Sequence, residues 1–270
     1  MLRRLKLATC LWVSIATNLI SASPVLAGSL DKAQAAYQSG RYEDAVNQYL
    51  QVIEASESES SPPPSASVYH NLGLAFDRQK ELGQAVASYL RATQLQPRQG
   101  DFQYNLRFLL GQTQDKLDNN FHRPMETSFL LDQWTTEREL FYLSISVFLI
   151  AAALYSYAFL RTRYRTAATS VGSIFLLLSL YSVASLFYKS QFARDQGAVV
   201  APRLEAYSGP TQSVVIFELH AGAPFQILET SNDWVKIELS DQKRGWVRSE
   251  GIASFGSEHN ILPAKASSKS

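Results

Sequence analysis

The chain contains two long stretches of mostly apolar residues without a single charge. The first runs from Leu140 to Leu160 and the second from Ala167 to Tyr188. A helix over the first stretch would be roughly 31 Å long at a rise of ~1.5 Å per residue, enough to cross the hydrocarbon core of a bilayer. The pattern therefore predicts transmembrane helices at residues 139–160 and 167–188, joined by a loop at residues 161–166. A buried hairpin in a soluble protein is the alternative.

Small and hydroxylated side chains in these stretches indicate how the two helices would pack. Because such side chains are poorly suited to facing lipid, we expect them at the contact between the helices. Those of the second stretch are Ala168, Gly172, Ser173, Ser179 and Ser182, with Ala151–Ala153 as partners in the first. Residues 121–138 are interpreted as a linker or interfacial segment, near whose end Thr135 or Thr136 is expected to form a capping box with Glu139.

Short segments of alternating apolar and polar residues occupy the C-terminal part of the chain. Phe225–Leu228 and Trp234–Leu239 show this alternation, and turn residues separate them from their neighbours. Half-buried strands alternate in this way because successive side chains point to opposite faces of a sheet. The pattern predicts a small all-β barrel at residues 196–255, followed by a disordered polar tail at residues 256–270.

The N-terminus has the residue order of a secretory signal peptide. Arg3, Arg4 and Lys6 precede an apolar stretch, and a cleavage site with small residues follows at 25–27. We expect residues 1–27 to form the signal peptide. An uncleaved anchor is the alternative, and either would export the residues that follow. The single cysteine, Cys10, lies within this segment, so a cleaved chain has neither a disulfide nor a thiolate metal site.

Residues 28–120 carry an internal repeat. The stretch "VYHNLGLAFDRQKELGQAVASYLRATQLQP" resembles the tetratricopeptide (TPR) repeat, with matches at Tyr69, Leu72, Gly73, Phe76, Ala85, Tyr89, Ala92 and Pro97. Gly73 and Ala85 are small where the two helices of the repeat would cross. An upstream copy with the turn "SGRY" and a downstream helix around Asn105 extend the pattern. The resemblance implies an all-α solenoid of two repeats closed by a capping helix.

Such a solenoid presents its first helices on a concave side that binds ligands. The mixture of aromatic and apolar residues expected on that side favours a peptide or a helix as the ligand. The alternative is that the repeats serve only as a compact spacer. By the TPR pattern, the residues that line the groove are Tyr37, His70, Leu74, Asp77, Tyr104 and Phe108, with Leu30 and Gln34 beside them.

The predicted β-barrel resembles bacterial SH3-like domains. The resemblance rests on "NDWVKI" and "GWVR", which supply Trp234, Gly245, Trp246 and Val247, and on Gly222. Such domains bind peptides or cell-wall muropeptides, or pack against neighbouring proteins. Three large aromatic residues would build a surface groove for this purpose: Tyr207, Trp234 and Trp246. The alternative is that both tryptophans belong to the core of a very small barrel.

Three arginines stand between the two apolar stretches, at Arg161, Arg163 and Arg165. Short loops rich in Arg and Lys stay on the cytoplasmic side of the membrane. Together with the export signal, they predict that both soluble regions lie outside the cytoplasm, in a multi-pass protein of the bacterial inner membrane. Binding of lipid phosphate or of a partner is the other role open to these arginines.

Sequence motifs of catalysis are not found. The four histidines show no metal-ligand spacing, and neither a phosphate-binding loop nor a nucleophile elbow is present. The net charge of +1 argues against a nucleic-acid partner. We therefore expect a protein without enzymatic activity, metal or cofactor.

The order of the predicted parts is signal peptide, TPR repeats, two-helix transmembrane hairpin and SH3-like barrel. This order resembles the TPR-containing members of the Bat (aerotolerance) family. The resemblance implies partners of the von Willebrand factor A type and an AAA+ ATPase in an envelope stress complex. The sequence thus predicts a multidomain membrane protein that acts as an adaptor on the lipid bilayer. A cell-wall sensor that binds peptidoglycan is the alternative, whereas a transporter subunit is disfavoured because the spans carry no charge.

Overall fold

The computed structural model describes residues 24–58, 64–117, 135–192, 195–211, 214–256 and 260–261. The chain divides into two compact units, residues 1–63 and residues 64–270. Most of the predicted signal peptide, residues 1–23, lies outside the described residues. The first described helix begins at Pro24 and therefore runs through the predicted cleavage position after Ala27.

The N-terminal unit is a hairpin of helix α1 (Pro24–Gln38) and helix α2 (Tyr42–Ser58). Gly40 adopts a φ of +77° in the turn between them, a conformation that glycine adopts without steric cost. Small and apolar side chains close the contact between the helices, among them Ala33, Ala45 and Ile53, which are fully buried. This hairpin is the upstream repeat that the turn "SGRY" predicts.

The second repeat opens the C-terminal unit with helix α3 (Ala66–Arg78) and helix α4 (Leu82–Leu95). A Cβ atom on Gly73 would lie only 2.8 Å from the ring of Tyr89, so the two helices cross where the sequence places a glycine. Helix α5 (Gly100–Leu110) follows. It packs on α4 through a buried side that includes Phe102 and Leu106, which is the place of the predicted capping helix.

Two long apolar helices come next, α6 (Glu137–Leu160) and α7 (Arg165–Phe192), joined by a 3₁₀ turn at Thr162–Tyr164. The predicted capping box is confirmed at Thr136. The Thr136 hydroxyl accepts from the backbone N–H of Glu139 at 3.3 Å, and the Glu139 carboxylate accepts from the backbone N–H of Thr136 at 2.8 Å. The connection is shorter than the predicted loop at 161–166, because α7 already begins at Arg165.

Helices α6 and α7 pack against each other through some of the small residues that were predicted to lie at their contact. Ser179 donates a hydrogen bond to the carbonyl of Ser144 at 3.1 Å, and Gly172 lies against Tyr155. Of the expected partners in α6, Ala151 is buried, but Ala152 and Ala153 are exposed. The expectation was wrong for these two because consecutive residues of an α-helix point in directions about 100° apart.

Most of the surface of α6 and α7 is apolar and uncovered. Only 22% of the most apolar window of each helix is buried, and large side chains such as Phe148, Leu177 and Phe187 are exposed. A core helix of a soluble protein would be mostly buried instead. Both helices have the length and composition to cross a membrane.

The C-terminal part, called the β-domain below, is one antiparallel sheet in the order β3-β2-β6-β5-β4-β1-β7-β8. Its strands are β1 (Gln196–Val199), β2 (Arg203–Tyr207), β3 (Val215–His220), β4 (Pro224–Ser231), β5 (Trp234–Glu238), β6 (Arg244–Arg248), β7 (Ile252–Phe255) and β8 (Asn260–Ile261). The two residues of β8 pair with β7, so the segment predicted to be a disordered tail contains a strand. Residues 262–270 lie outside the described residues.

The core of the β-domain is formed by the inward side chains of its strands. Alternation is regular: Val235 and Ile237 of β5 and Val247 of β6 are buried, while their neighbours point outward. The remaining core residues come from every strand from β1 to β7, among them Phe225, Ile227, Leu219, Leu204, Val199 and Ile252.

Strands β1 and β7 depart from this alternation, because their outward side is covered by helix α4. Every residue of β7 is buried, including Ser254 and Phe255. The Phe255 ring packs on that of Tyr69 with 5.8 Å between centroids, and Gly83 of α4 lies directly against the backbone of Val199. Helix α4 is consequently buried on all sides from Gly83 to Leu90. This contact was not predicted from the sequence.

A second contact joins the segment after α5 to the β-domain. The Asp115 carboxylate accepts a hydrogen bond from the backbone N–H of His220 at 2.7 Å and lies 2.9 Å from its Nδ1. Nearby, a Cβ atom on Gly222 would lie 2.7 Å from Thr113. The second repeat and the β-domain thus form one body, although two apolar helices separate them in the sequence.

Candidate functional site

The outward side chains of β2, β5 and β6 form a continuous patch on the β-domain. Cross-strand register places Tyr207 opposite Trp246, Trp246 opposite Lys236, and Trp234 opposite Arg248. Together with Glu205, these residues are called the aromatic face: Glu205, Tyr207, Trp234, Lys236, Trp246 and Arg248. All three aromatic residues predicted from the sequence are therefore brought together.

Trp234 is the centre of the aromatic face. The Tyr207 ring meets it edge-on, with 5.5 Å between centroids and an interplanar angle of 89°. The Arg248 guanidinium lies over the indole with 4.5 Å from Cζ to the ring centroid. These two contacts explain why only 8% of Trp234 is exposed although it points away from the core. Both are favourable geometries for aromatic and cation–π contacts.

Trp246 is half-buried and is flanked by Lys236, whose Nζ lies 5.8 Å from the ring centroid. Neither Trp234 nor Trp246 belongs to the core cluster of the β-domain as the structure describes it. Trp246 is therefore not a core residue, whereas Trp234 is buried, so only part of the predicted aromatic groove is open at the surface. Trp234 is buried by its neighbours on the aromatic face.

A cleft of about 370 Å³ lies beside the aromatic face. This volume falls at the lower end of the range for small-ligand pockets, which runs from ~300 to ~1,000 Å³. Apolar, acidic and basic groups contribute to the walls, which are formed by Ala201, Arg203, Leu204, Glu205, Tyr207, Arg248, Glu250 and Gly251. The charged residues of these walls were not predicted from the sequence. Arg248 was detectable, because it follows Trp246 by two residues and so must share its side of the strand.

The hydroxyl of Tyr207 connects the aromatic ring to an acid. It donates a hydrogen bond of 2.6 Å to the Glu205 carboxylate. This hydrogen bond to a carboxylate raises the pKa of Tyr207 above that of a free tyrosine, and burial adds to the effect. Tyr207 is thus held protonated and in a fixed orientation at the wall of the cleft.

The residues predicted for the repeat groove are only partly brought together. His70 is half-buried and stacks on Phe102 of α5 at 4.5 Å, and the Asn105 amide nitrogen lies 2.9 Å from its Nε2. Burial lowers the pKa of His70. Since the neutral ring can accept the amide N–H of Asn105, His70 acts as a packing residue between α3 and α5.

The other predicted groove residues lie in three places. Tyr104 and Phe108 are 65% and 57% exposed, one turn apart on α5, and form an open aromatic pair. Leu74 and Asp77 are half-buried on α3. Tyr37 belongs to the N-terminal unit, where its ring meets that of Tyr42 edge-on at 5.4 Å.

The three arginines predicted to set the topology, Arg161, Arg163 and Arg165, are all exposed at the turn between α6 and α7. The Arg163 guanidinium lies 5.8 Å from the ring of Tyr164. The structure therefore places three positive charges together at one end of the apolar hairpin.

Comparison with known families agrees with both predicted domain types. Residues 30–100 match the family model of the tetratricopeptide repeat, and residues 203–253 match that of the bacterial SH3 domain. No curated protein matches the chain. Domains of these two kinds bind other proteins, and bacterial SH3 domains also bind cell wall. The chain thus combines TPR-type helices, two apolar helices and an SH3-type sheet.

Proposed function

We propose that this protein is a non-enzymatic, membrane-anchored adaptor that holds partner proteins through its repeats and its β-domain on the outer side of the cytoplasmic membrane. The observation that carries the proposal is the direct packing of β1 and β7 on helix α4. This packing holds the second repeat next to the β-domain, and both belong to domain types that bind other proteins. Partners bound to each would meet at a high effective concentration.

The same packing supports the proposed topology. Residues 64–117 and 195–256 touch, so both must lie on the same side of any membrane that α6 and α7 cross. An even number of spans between them satisfies this requirement, and the described chain has two candidates. The exposed arginines at the turn favour the cytoplasm for the turn itself. Both soluble parts would then lie outside.

The order of domains supports a role in a Bat-type envelope complex. In that setting the partners would be membrane-anchored von Willebrand factor A-type proteins. The exposed pair Tyr104 and Phe108 is the favoured contact surface, because aromatic side chains are enriched at the centres of protein interfaces.

Photo-crosslinking in intact cells tests the adaptor role. A benzoylphenylalanine at Tyr104 or Phe108 is expected to give discrete crosslinks to envelope proteins identified by mass spectrometry. The matched control is the same group at Asp241, which is exposed in the turn between β5 and β6. If the first two positions crosslink no envelope protein, or give only the products seen at the control position, the adaptor proposal fails.

Cell-wall binding is a second candidate function, favoured by the match to the bacterial SH3 domain and by the cleft beside Tyr207. Sedimentation of the detergent-solubilised full chain with insoluble cell wall tests it. The full chain is required because an isolated β-domain would expose the sides of β1 and β7 that α4 covers. Retention in the supernatant would exclude this function.

A further inference from the structure

Among the described arginines of the β-domain, Arg248 differs from Arg203 and Arg244 because it forms no ion pair with a described residue. Arg203 forms an ion pair with Glu218 at 2.6 Å, and Arg244 forms one with Glu238 at 2.7 Å. Within the described residues, no carboxylate lies within 4.0 Å of the Arg248 guanidinium. Among the described residues, the half-buried Arg248 therefore lacks the close carboxylate partner that Arg203 and Arg244 have, although Glu205 and Glu250 line the same cleft.

The position of Arg248 is nevertheless fixed. Its guanidinium stacks on Trp234, and Trp234 is held in turn by the edge of Tyr207. Stacking restricts the long side chain before any ligand arrives, so less conformational entropy is lost on binding. The planar fork of arginine matches the two oxygens of a carboxylate in a bidentate pair.

The other walls of the cleft restrict the charge and size of a ligand. Glu205 and Glu250 are acidic and would repel a group with two or more negative charges, such as a phosphate. Ala201, which is half-buried, offers an apolar surface. A volume of about 370 Å³ is near the lower end of the range for ligand pockets, ~300–1,000 Å³, so the bound group must be small.

We infer that this cleft binds a peptide that presents one carboxylate, which pairs with Arg248 while the adjoining peptide lies against Tyr207 and Ala201. The inference rests on the proposed recognition role of the β-domain and names the chemistry of its ligand. Glu205, which already accepts from Tyr207, is placed to accept an amine or amide N–H of the same peptide.

Calorimetry with the full chain in nanodiscs tests the inference. The probes are acetyl-trialanine with a free carboxylate and the same peptide as its C-terminal amide. We expect the acid to bind about tenfold more tightly than the amide, the usual size of one charge-assisted pair. Equal affinities of the two peptides, or the binding of neither, would overturn the inference.

Variants of Arg248 test whether its guanidinium is the cation that binds the carboxylate. Arg248→Gln is expected to remove the preference for the acid, and Arg248→Lys to retain part of it, because lysine keeps the charge but loses the fork. Arg244→Gln is the control on the same strand and should leave the preference unchanged. The melting temperature of each variant is measured first. If Arg248→Gln does not fold, the lysine variant and the comparison of the two peptides in the wild type still decide.

Two sources offer such a carboxylate, a protein C-terminus and a cell-wall stem peptide, and the stereochemistry of the last residue separates them. A peptide ending in L-alanine represents the first source and one ending in D-alanine the second. Preference for either supports the inference and assigns the source. If crosslinks to envelope proteins appear while acid and amide bind equally, the inference fails and the adaptor proposal stands.

Discussion

Substitution of Gly83 by alanine tests the packing of the β-domain on helix α4. A Cβ atom at this position would lie directly against the carbonyl oxygen of Val199. That oxygen cannot retreat freely, because it accepts a hydrogen bond of 2.8 Å from the backbone N–H of Gly222. The added methyl group must therefore push the strand and the helix apart.

The magnitude follows from three opposing contributions. Overpacking costs about 1–3 kcal/mol. A weakened hydrogen bond adds about 1 kcal/mol. The better helix propensity of alanine returns about 0.8–1 kcal/mol. The contact between α4 and the β-domain thus loses about 1–3 kcal/mol of stability. This corresponds to a roughly 5- to 150-fold larger population of the state in which the β-domain has separated from α4.

Hydrogen–deuterium exchange measures this population directly. In Gly83→Ala, the amides of residues 196–199 and 252–255 should exchange faster by that factor. Gly100→Ala is the matched control, because no atom lies within 4 Å of a Cβ placed there, and it should leave the exchange unchanged. Indistinguishable exchange in the two variants would refute the packing on which the adaptor and topology proposals rest.

Three further predictions concern the contact between Asp115 and His220, the pKa of Tyr207, and the proposed topology. Asp115→Ala removes both contacts to His220 and should destabilise the C-terminal unit by about 1–3 kcal/mol, measured by thermal unfolding; an unchanged melting temperature would contradict this. Glu205→Gln should lower the pKa of Tyr207 toward that of a free tyrosine, seen as a shift of its ultraviolet titration to lower pH. Because the folded-state pKa of Tyr207 is raised, its contribution to stability is fully present below the ordinary tyrosine pKa and is lost as the pH rises through the folded value. In spheroplasts, with the native cysteine replaced, Tyr164→Cys should resist an impermeant maleimide, whereas a cysteine introduced in the turn between β4 and β5 should be labelled. Labelling with the opposite preference would reverse the proposed topology.

Local features of this fold were predictable wherever a few neighbouring residues determine them. The repeat signature anticipated the glycine at the crossing of α3 and α4, and Thr136 with Glu139 anticipated the start of α6. The three aromatic residues of the aromatic face were predicted from the sequence, but Glu205, Lys236 and Arg248 were not. The burial of Trp234 was not predicted either, because it depends on the guanidinium of Arg248 from the neighbouring strand.

Contacts between distant segments were not predicted, although the sequence contained a signal. Strand β7 reads "IASF" and β1 contains "GAV", and neither alternates as a half-exposed strand should. Strands buried on both sides carry small or apolar residues throughout. Read in this way, the two segments indicate a covering element, but only the structure identifies it as α4.

The burial of α4 by β1 and β7 also has a consequence for biosynthesis. The ribosome makes α4 first, then both apolar helices, and the strands that cover α4 last. Under the proposed topology, the newly made second repeat has an uncovered apolar side until α7 has entered the bilayer and the sheet has folded. In that topology, chains that stop after α7 would leave this side of α4 exposed, so incomplete chains would be more susceptible to proteolysis than complete ones.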